Sequence, residues 1–231
     1  GEIDFAVHSM KDVETVRPAD ITIAAMLPRA DVRDRLIGAE SLAALKPGAI
    51  VGTSAPRRTA QILRARPDVR VILFRGNVAT RLAKLDAGVA DATLLAAAGL
   101  ERLAMPDIGT PLSIDDMLPA PSQGAVGIET LTANDAVRGW LAAINHDDTL
   151  ACVLAERTFL AGLNAGCHSP VAAHAVLEDG VIRLRVEIMA ADGAETHTGE
   201  ARFAVGDLEK AVTLGRDLLS RASPDVQRLF G

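Results

Sequence analysis

Between residues 49 and 103 the chain alternates short apolar runs with longer amphipathic ones, and this rhythm constrains the fold more than any other feature. Residues 49–52 (Ala-Ile-Val-Gly), 69–74 (Val-Arg-Val-Ile-Leu-Phe) and 91–96 (Asp-Ala-Thr-Leu-Leu-Ala) read as strands. Residues 59–66 and 78–87 read as helices, and another helix begins at Ala97. Strands separated by helices of this length pair in parallel, because each crossover helix carries the chain back to the same end of the sheet. Two strands precede this stretch, one ending at His8 and one over residues 21–27, and the charged segment from Arg29 to Arg35 reads as a crossover between lobes. The end of the chain has a different pattern. Residues 171–177, 181–190 and 195–205 alternate as strands, Asp179-Gly180 and Asp192-Gly193 supply tight hairpin turns, and a helix follows over 208–222. That part is antiparallel α+β, separate from the parallel sheet.

With 231 residues, 49% of them hydrophobic and 23% charged, the chain can bury two or three small cores. A net charge of −6 argues against non-specific nucleic-acid binding, and 3% aromatic residues with no Tyr leave no stacking platform for single strands. The longest apolar-rich stretch, residues 90–100, contains Asp91 and is too short to span a bilayer. Cys152 and Cys167 form neither a Cys-x-x-Cys pair nor a disulfide framework, and no charged-then-apolar leader precedes the first strand. The expectation is a soluble protein of the reducing cytoplasm.

Twenty of the 24 basic residues are Arg. Abundant Arg alongside abundant Ala also follows from nucleotide bias, so placement carries the argument. Each of three strand-to-helix junctions has arginine: Arg57 and Arg58, then Arg75 with Arg81 one turn on, then Arg102. In a parallel sheet these junctions emerge on one edge, where helix N-termini add backbone N–H groups and a positive dipole end, so the pattern predicts an anion cradle. Thr53 and Ser54 serve there either as helix caps or as ligand-binding hydroxyls. The polar cluster His8 to Asp12 ends the first strand, at the carboxyl end where open α/β sheets bind ligands. Cys167 lies between Gly166 and Pro170, which predicts a reachable loop thiol, whereas Cys152 sits in an apolar helical run and reads as core.

Five segments, His8-Ser9-Met10-Lys11-Asp12, Gly52-Thr53-Ser54 followed by Arg57-Arg58, Arg75-Gly76-Asn77-Val78 with Thr80-Arg81-Leu82, Gln123-Gly124-Ala125-Val126-Gly127, and Gly166-Cys167 with Pro170, resemble in the same order the motifs of the porphobilinogen deaminase family. The resemblance implies an α/β fold of two periplasmic-binding-protein-like (type II) lobes, the first incomplete, plus a small α+β C-terminal domain with an antiparallel sheet. Boundaries are expected at 1–28 with 120–145, at 29–119 and at 146–231. The family condenses four porphobilinogen molecules head to tail, with loss of ammonia, into hydroxymethylbilane on a covalent dipyrromethane primer. By resemblance Cys167 carries that dipyrromethane through a thioether, with Ser9, Lys11, Thr53, Ser54, Arg57 and Arg58 binding it. Arg75, Gly76, Asn77, Arg81, Arg102 and Gln123 would bind substrate, and Asp12 would be the catalytic carboxylate, stabilising the cationic pyrrole left when the amine departs and relaying protons. No metal is implied. A monomer with a small-molecule substrate, and with neither nucleic-acid nor membrane partners, is expected.

The sequence departs from the family pattern at Glu14 and Ala165, both loop changes, and at Ala55-Pro56, a mild variant ahead of the paired arginines. The family also has a strand, a helix and a basic loop ahead of the first motif, so the chain reads as N-terminally truncated, with little or no activity expected of it as it stands. A non-catalytic two-lobed anion-binding or effector-sensing domain is the alternative, and it would have no use for Cys167. A metal site from Cys167, His168 and His174 lacks any paired ligand spacing. In a version of the chain carrying the missing segment, Cys167→Ser should abolish or severely weaken cofactor attachment, read by intact-protein mass, and Cys152→Ser should not. Equal loss in both variants would count against the assignment.

Overall fold

The structure, a computed structural model, describes residues 2–166 and 168–230. In chain order its strands are β1 (Ala6–Ser9), β2 (Ile21–Met26), β3 (Asp34–Ile37), β4 (Ile50–Thr53), β5 (Arg70–Leu73), β6 (Ala92–Ala96), β7 (Thr110–Pro111), β8 (Val126–Leu131), β9 (Val171–Glu178), β10 (Val181–Met189) and β11 (Thr196–Ala204). The helices are α1 (Pro56–Ala65), α2 (Val78–Asp86), α3 (Ala97–Arg102), α4 (Asp135–Ala142), α5 (Asp147–Gly162), α6 (Glu209–Arg221) and α7 (Pro224–Gln227). Three sheets result, ordered β1-β8-β2, β5-β4-β6-β3-β7 and β11-β10-β9.

The second sheet contains the expected parallel unit, with β4 between β5 and β6 and parallel to both. It is not purely parallel, however. Residues 34–37, read from sequence as part of a crossover, form β3, which runs antiparallel to β6 and β7. Leu36 is fully buried, and so is Asp34, whose charge is matched inside the protein; the flanking Arg33 and Arg35 gave the segment the look of a surface loop. β1 likewise runs antiparallel to β8, so the cluster after it is not the carboxyl end of a parallel ladder among the described residues. The two crossovers between these sheets run side by side, Leu27 N donating to Val126 O (3.0 Å) and Ala30 N to Gly124 O (3.2 Å).

The third sheet is the antiparallel α+β unit the Asp-Gly turns predict, with Asp179 and Gly180 both at positive φ. β10 alternates strictly: Ile182, Leu184, Val186 and Ile188 are buried, and Arg183, Arg185 and Glu187 between them are not. Its apolar side joins Phe159 and Leu163 near the end of α5 and Leu218 of α6 in one core, each such side chain stabilising the fold by about 1.5–3 kcal/mol.

α1 is clamped onto this third sheet. Ala60 and Leu118 pack with Ala172 and Met189, Gln61 Nε2 donates to Glu187 Oε2 (2.9 Å), and Arg64 pairs with the same carboxylate at 3.2 Å. Gly193, in the β10–β11 turn at φ +73°, comes so close that a Cβ there would lie 2.1 Å from the Ala60 carbonyl oxygen. Backbone meets backbone at that point, so no rotamer change can make room. Gly193→Ala should therefore destabilise the chain by about 1–3 kcal/mol in urea unfolding, through overpacking and an unfavourable φ. An unchanged midpoint would show that the turn is free of α1 in solution. Among the described residues no helix is long and apolar enough to cross a membrane.

Candidate active site

Where the three sheets meet, a cavity of about 280 Å³ opens between the turn after β1, the N-terminus of α1, the return crossover and the loop after α5. Among the described residues, five cationic side chains line it, Lys11, Arg57, Arg58, Arg81 and Arg157, against one carboxylate, Asp12. This local excess of positive charge stands out in a chain of net charge −6.

The turn is built from Met10. Its side chain is fully buried, its N–H donates to Ala125 O (3.1 Å), and it occupies the space beside Gly127, where a Cβ would come within 2.2 Å of the Met10 sulfur. Anchored this way, residues 10–12 form one 3-10 turn that brings Lys11 and Asp12 to the cavity wall. Burial, aided by the neighbouring Arg58 guanidinium, pushes the Lys11 ammonium down to a pKa of about 8.

α1 starts at the cavity without a side-chain cap: its N-cap is Ala55 and Pro56 follows. Thr53 and Ser54 therefore do not cap it. Thr53 is buried and its hydroxyl accepts from Ala55 N (3.2 Å), while Ser54 lines the cavity and its oxygen accepts from Arg81 Nη2 (3.1 Å). Arg81 also donates to Gly76 O (2.9 Å) and so ties the β4–α1 junction to the β5–α2 junction.

Arg57 and Arg58 are buried, not spread on a solvated helix face. Arg58 Nη2 donates to Asp34 Oδ1 (2.7 Å), and Arg57 Nη1 lies 2.8 Å from Asp34 Oδ2, a charge contact too poorly angled to count as a hydrogen bond. Burial alone would raise the Asp34 pKa, but the two guanidiniums outweigh it and hold the carboxyl far below the usual carboxylate range. Gln123 completes the cluster, its amide donating to Asp34 Oδ1 (2.9 Å) and Val32 O (2.6 Å). One carboxylate thus serves two guanidiniums, and the Nε of each Arg has no hydrogen-bond partner.

Several other residues named from sequence lie elsewhere. Ser9 ends β1 opposite Val126, outside the cavity lining. Arg75 is exposed and does not line the cavity, nor does Arg102, which ends α3 and reaches Gly124 O at 3.4 Å. Gly76 supplies the carbonyl that holds Arg81, and Asn77 caps α2, its Oδ1 accepting from Thr80 N (2.9 Å). Cys167 lies outside the described residues, although Gly166, His168 and Ser169 on either side of it line the cavity. Cys152 is buried in α5, and burial pushes its thiol up to about 11, in keeping with a core residue.

Three residues that shape this site stand in none of the sequence motifs: Asp34, Glu156 and Arg157. Glu156 is fully buried and binds Arg29 of the first crossover (2.7 and 3.0 Å) and the N–H of Ser122 of the second (2.6 Å). The signal for it was available, because α5 carries apolar residues on every side of a Glu-Arg pair, which forces that pair to be buried and therefore bonded.

Asp34→Asn keeps the shape of the cluster and removes its only negative charge. It should cost about 3–5 kcal/mol of unfolding free energy, since two guanidiniums stay buried without a counter-charge. Because the folded-state pKa lies below the ordinary 3.8, the carboxylate's contribution is complete above that value and fades as pH falls below it. The stability gap between parent and variant should therefore narrow on acidification from pH 6 towards about pH 3. A gap that stayed constant across this range would contradict the ion-pair account.

Comparison with known proteins adds a family to this geometry. Residues 1–139 match the family model described as "porphobilinogen deaminase, dipyromethane cofactor binding domain", and residues 150–223 match that of the porphobilinogen deaminase C-terminal domain. A porphobilinogen deaminase from Sphingopyxis alaskensis is 54% identical over all of this chain and 74% of its own length. One from Paracoccus denitrificans is 44% identical over 94% of this chain and 69% of that protein. A chloroplastic one from Oryza sativa subsp. japonica is also 44% identical, over 97% of this chain and 64% of its own.

Proposed function

This chain belongs to the porphobilinogen deaminase family, and we propose that its cavity holds a dipyrromethane on which porphobilinogen units are condensed head to tail, with release of ammonia, towards hydroxymethylbilane. The observation that carries this reading is the unbalanced charge of the wall: Lys11, Arg57, Arg58, Arg81 and Arg157 line it against Asp12 alone among the described residues, and Arg57 and Arg58 share one internal carboxylate. A group bearing acetate and propionate carboxylates fits such a wall, with the uncapped N-terminus of α1 adding partial positive charge. When bound through Cys167, the cofactor supplies the pyrrole carbon to which the first substrate is joined.

The side chains divide the work. Arg57, Arg58 and Lys11 neutralise the carboxylates of the bound primer, to which Ser54 adds a hydroxyl, and Arg81 on the same wall reaches those of the incoming unit. Asp12 is the one carboxylate at the wall among the described residues. Placed beside a pyrrole N–H, it stabilises the positive charge that develops on the substrate as its amine departs, and it can carry a proton between the attacked carbon and the leaving nitrogen. Gln123 acts from behind by holding Asp34, and through it the two arginines.

The same reading divides the chain into residues 1–28 with 120–145, 29–119 and 146–231, supported by the strands of each sheet falling within one of these units. It makes the chain a cytoplasmic monomer, in keeping with two cysteines in no disulfide pattern. Asp12→Asn should lower kcat by about 10²–10⁴-fold with little change in anion binding, whereas Arg81→Ala should mainly raise KM. Steady-state assays with porphobilinogen, on versions carrying the family's N-terminal segment, separate the two, and an Asp12→Asn variant turning over at the unsubstituted rate would remove Asp12 from the mechanism.

A further inference from the structure

Arg157 is buried on α5, yet none of the ion pairs among the described residues includes it. Its guanidinium is turned wholly towards backbone. Nη1 donates to the carbonyls of Met10 (3.4 Å) and Val13 (3.3 Å), and Nη2 to those of Glu14 and Thr15, the last at 3.0 Å. These four carbonyls belong to the turn that carries Lys11 and Asp12 and to the residues just after it. A second tie runs beside the first: Thr15 Oγ1 donates to Ala165 O (2.8 Å), in the loop that follows α5.

A buried cation without a carboxylate partner is stable only if enough dipoles converge on it, and four carbonyls from consecutive or near-consecutive residues converge only in one conformation of their segment. The planar fork of Arg suits this, since its N–H groups leave in fixed directions, and a lysine ammonium cannot reach all four oxygens. We propose that Arg157 is a positioning residue: it sets the conformation of residues 10–15, and thereby the placement of Asp12 relative to the loop on the far side of the cavity. Its role in turnover rests on the reading of Asp12 given above; its role in holding the turn does not.

The test uses the full chain with Arg157→Met and Arg157→Lys. Met10 and Val13 are the residues of the turn whose amides have backbone partners, Ala125 O and Met10 O, so hydrogen exchange at these two sites reports on the turn. In Arg157→Met their exchange should speed up about tenfold or more while β9–β11 amides change less than about twofold, with Arg157→Lys in between. Unchanged exchange at Met10 and Val13, or an equal rise everywhere in both variants, would overturn the proposal. In porphobilinogen turnover, Arg157→Met should lower kcat about 10–100-fold with KM nearly unchanged, and the loss should shrink several-fold in an Asp12→Asn background, because both substitutions remove the same contribution. Fully additive losses would also overturn it. Turnover is read in a version carrying the family's N-terminal segment, as little is expected of the chain alone; a parent inactive even in that version would count against the proposed function, and the exchange comparison would still decide what Arg157 does.

Discussion

The carboxylate of Glu156 is the contact on which the arrangement of this molecule depends. It is fully buried and accepts from both Nη atoms of Arg29, from Ser122 N and from Ala175 N at 2.6–3.0 Å. These donors come from the outgoing crossover, the return crossover and β9, three segments far apart in the chain. Taking a carboxylate out of water is costly, and the cost is offset only while every donor is in place, so the three segments are fixed together or not at all. Ser122, at φ +64°, holds a conformation few non-glycine residues adopt, and its N–H is aimed at Glu156 from there. Glu156 ties the two crossovers to β9, beside the backbone bonds Leu27 N to Val126 O and Ala30 N to Gly124 O that join the crossovers to each other.

Its electrostatics follow from a second incomplete balance. Had a second acid stood near Asp34, Arg57 and Arg58 would be neutralised internally and the wall would have little attraction for an anion. With one carboxylate for two guanidiniums, and with Lys11 close enough for Arg58 to help depress its pKa to about 8, the wall keeps an excess of positive charge that Asp12 only partly offsets. The same Asp34 is what permits the arginines to be buried at all. The burial of the two arginines and the excess charge of the wall thus follow from one charge count, and the binding role proposed for Arg57 and Arg58 rests on the same pair of contacts.

What the sequence made legible was local. Asp-Gly turns fixed the hairpins of the third sheet, alternation marked β10, and the His-Ser-Met-Lys-Asp run marked a polar turn at a strand end. What it hid was set by partners distant in the chain. β3 looked like a charged loop because the match for Asp34 lies on α1, more than twenty residues on. Arg75 and Arg102 stand near junctions yet lie off the cavity, because an arginine near a junction need not point to the shared edge. Arg102 is the last residue of a six-residue helix, so about 7 Å of helix rise carries it away from that edge. Arg81, one turn into α2, does line the cavity because its long side chain reaches back to Ser54. Periodicity finds the elements; which of their side chains converge is decided by contacts it does not contain.

The third unit meets the other two through different physics. Towards α1 the contact is one of shape: small residues, an apolar cluster and the close approach at Gly193, where any added atom collides with backbone. Towards the turn of residues 10–15 it is electrostatic and directional, a guanidinium and a hydroxyl on backbone carbonyls. Both contacts end at the wall of the same cavity, one placing Arg57 and Arg58, the other placing Lys11 and Asp12. No single sheet holds the complete site. This is why the informative motifs are short and scattered along the chain: each is the few residues over which one segment reaches the cavity, and the longer stretches between them serve to bring those residues there.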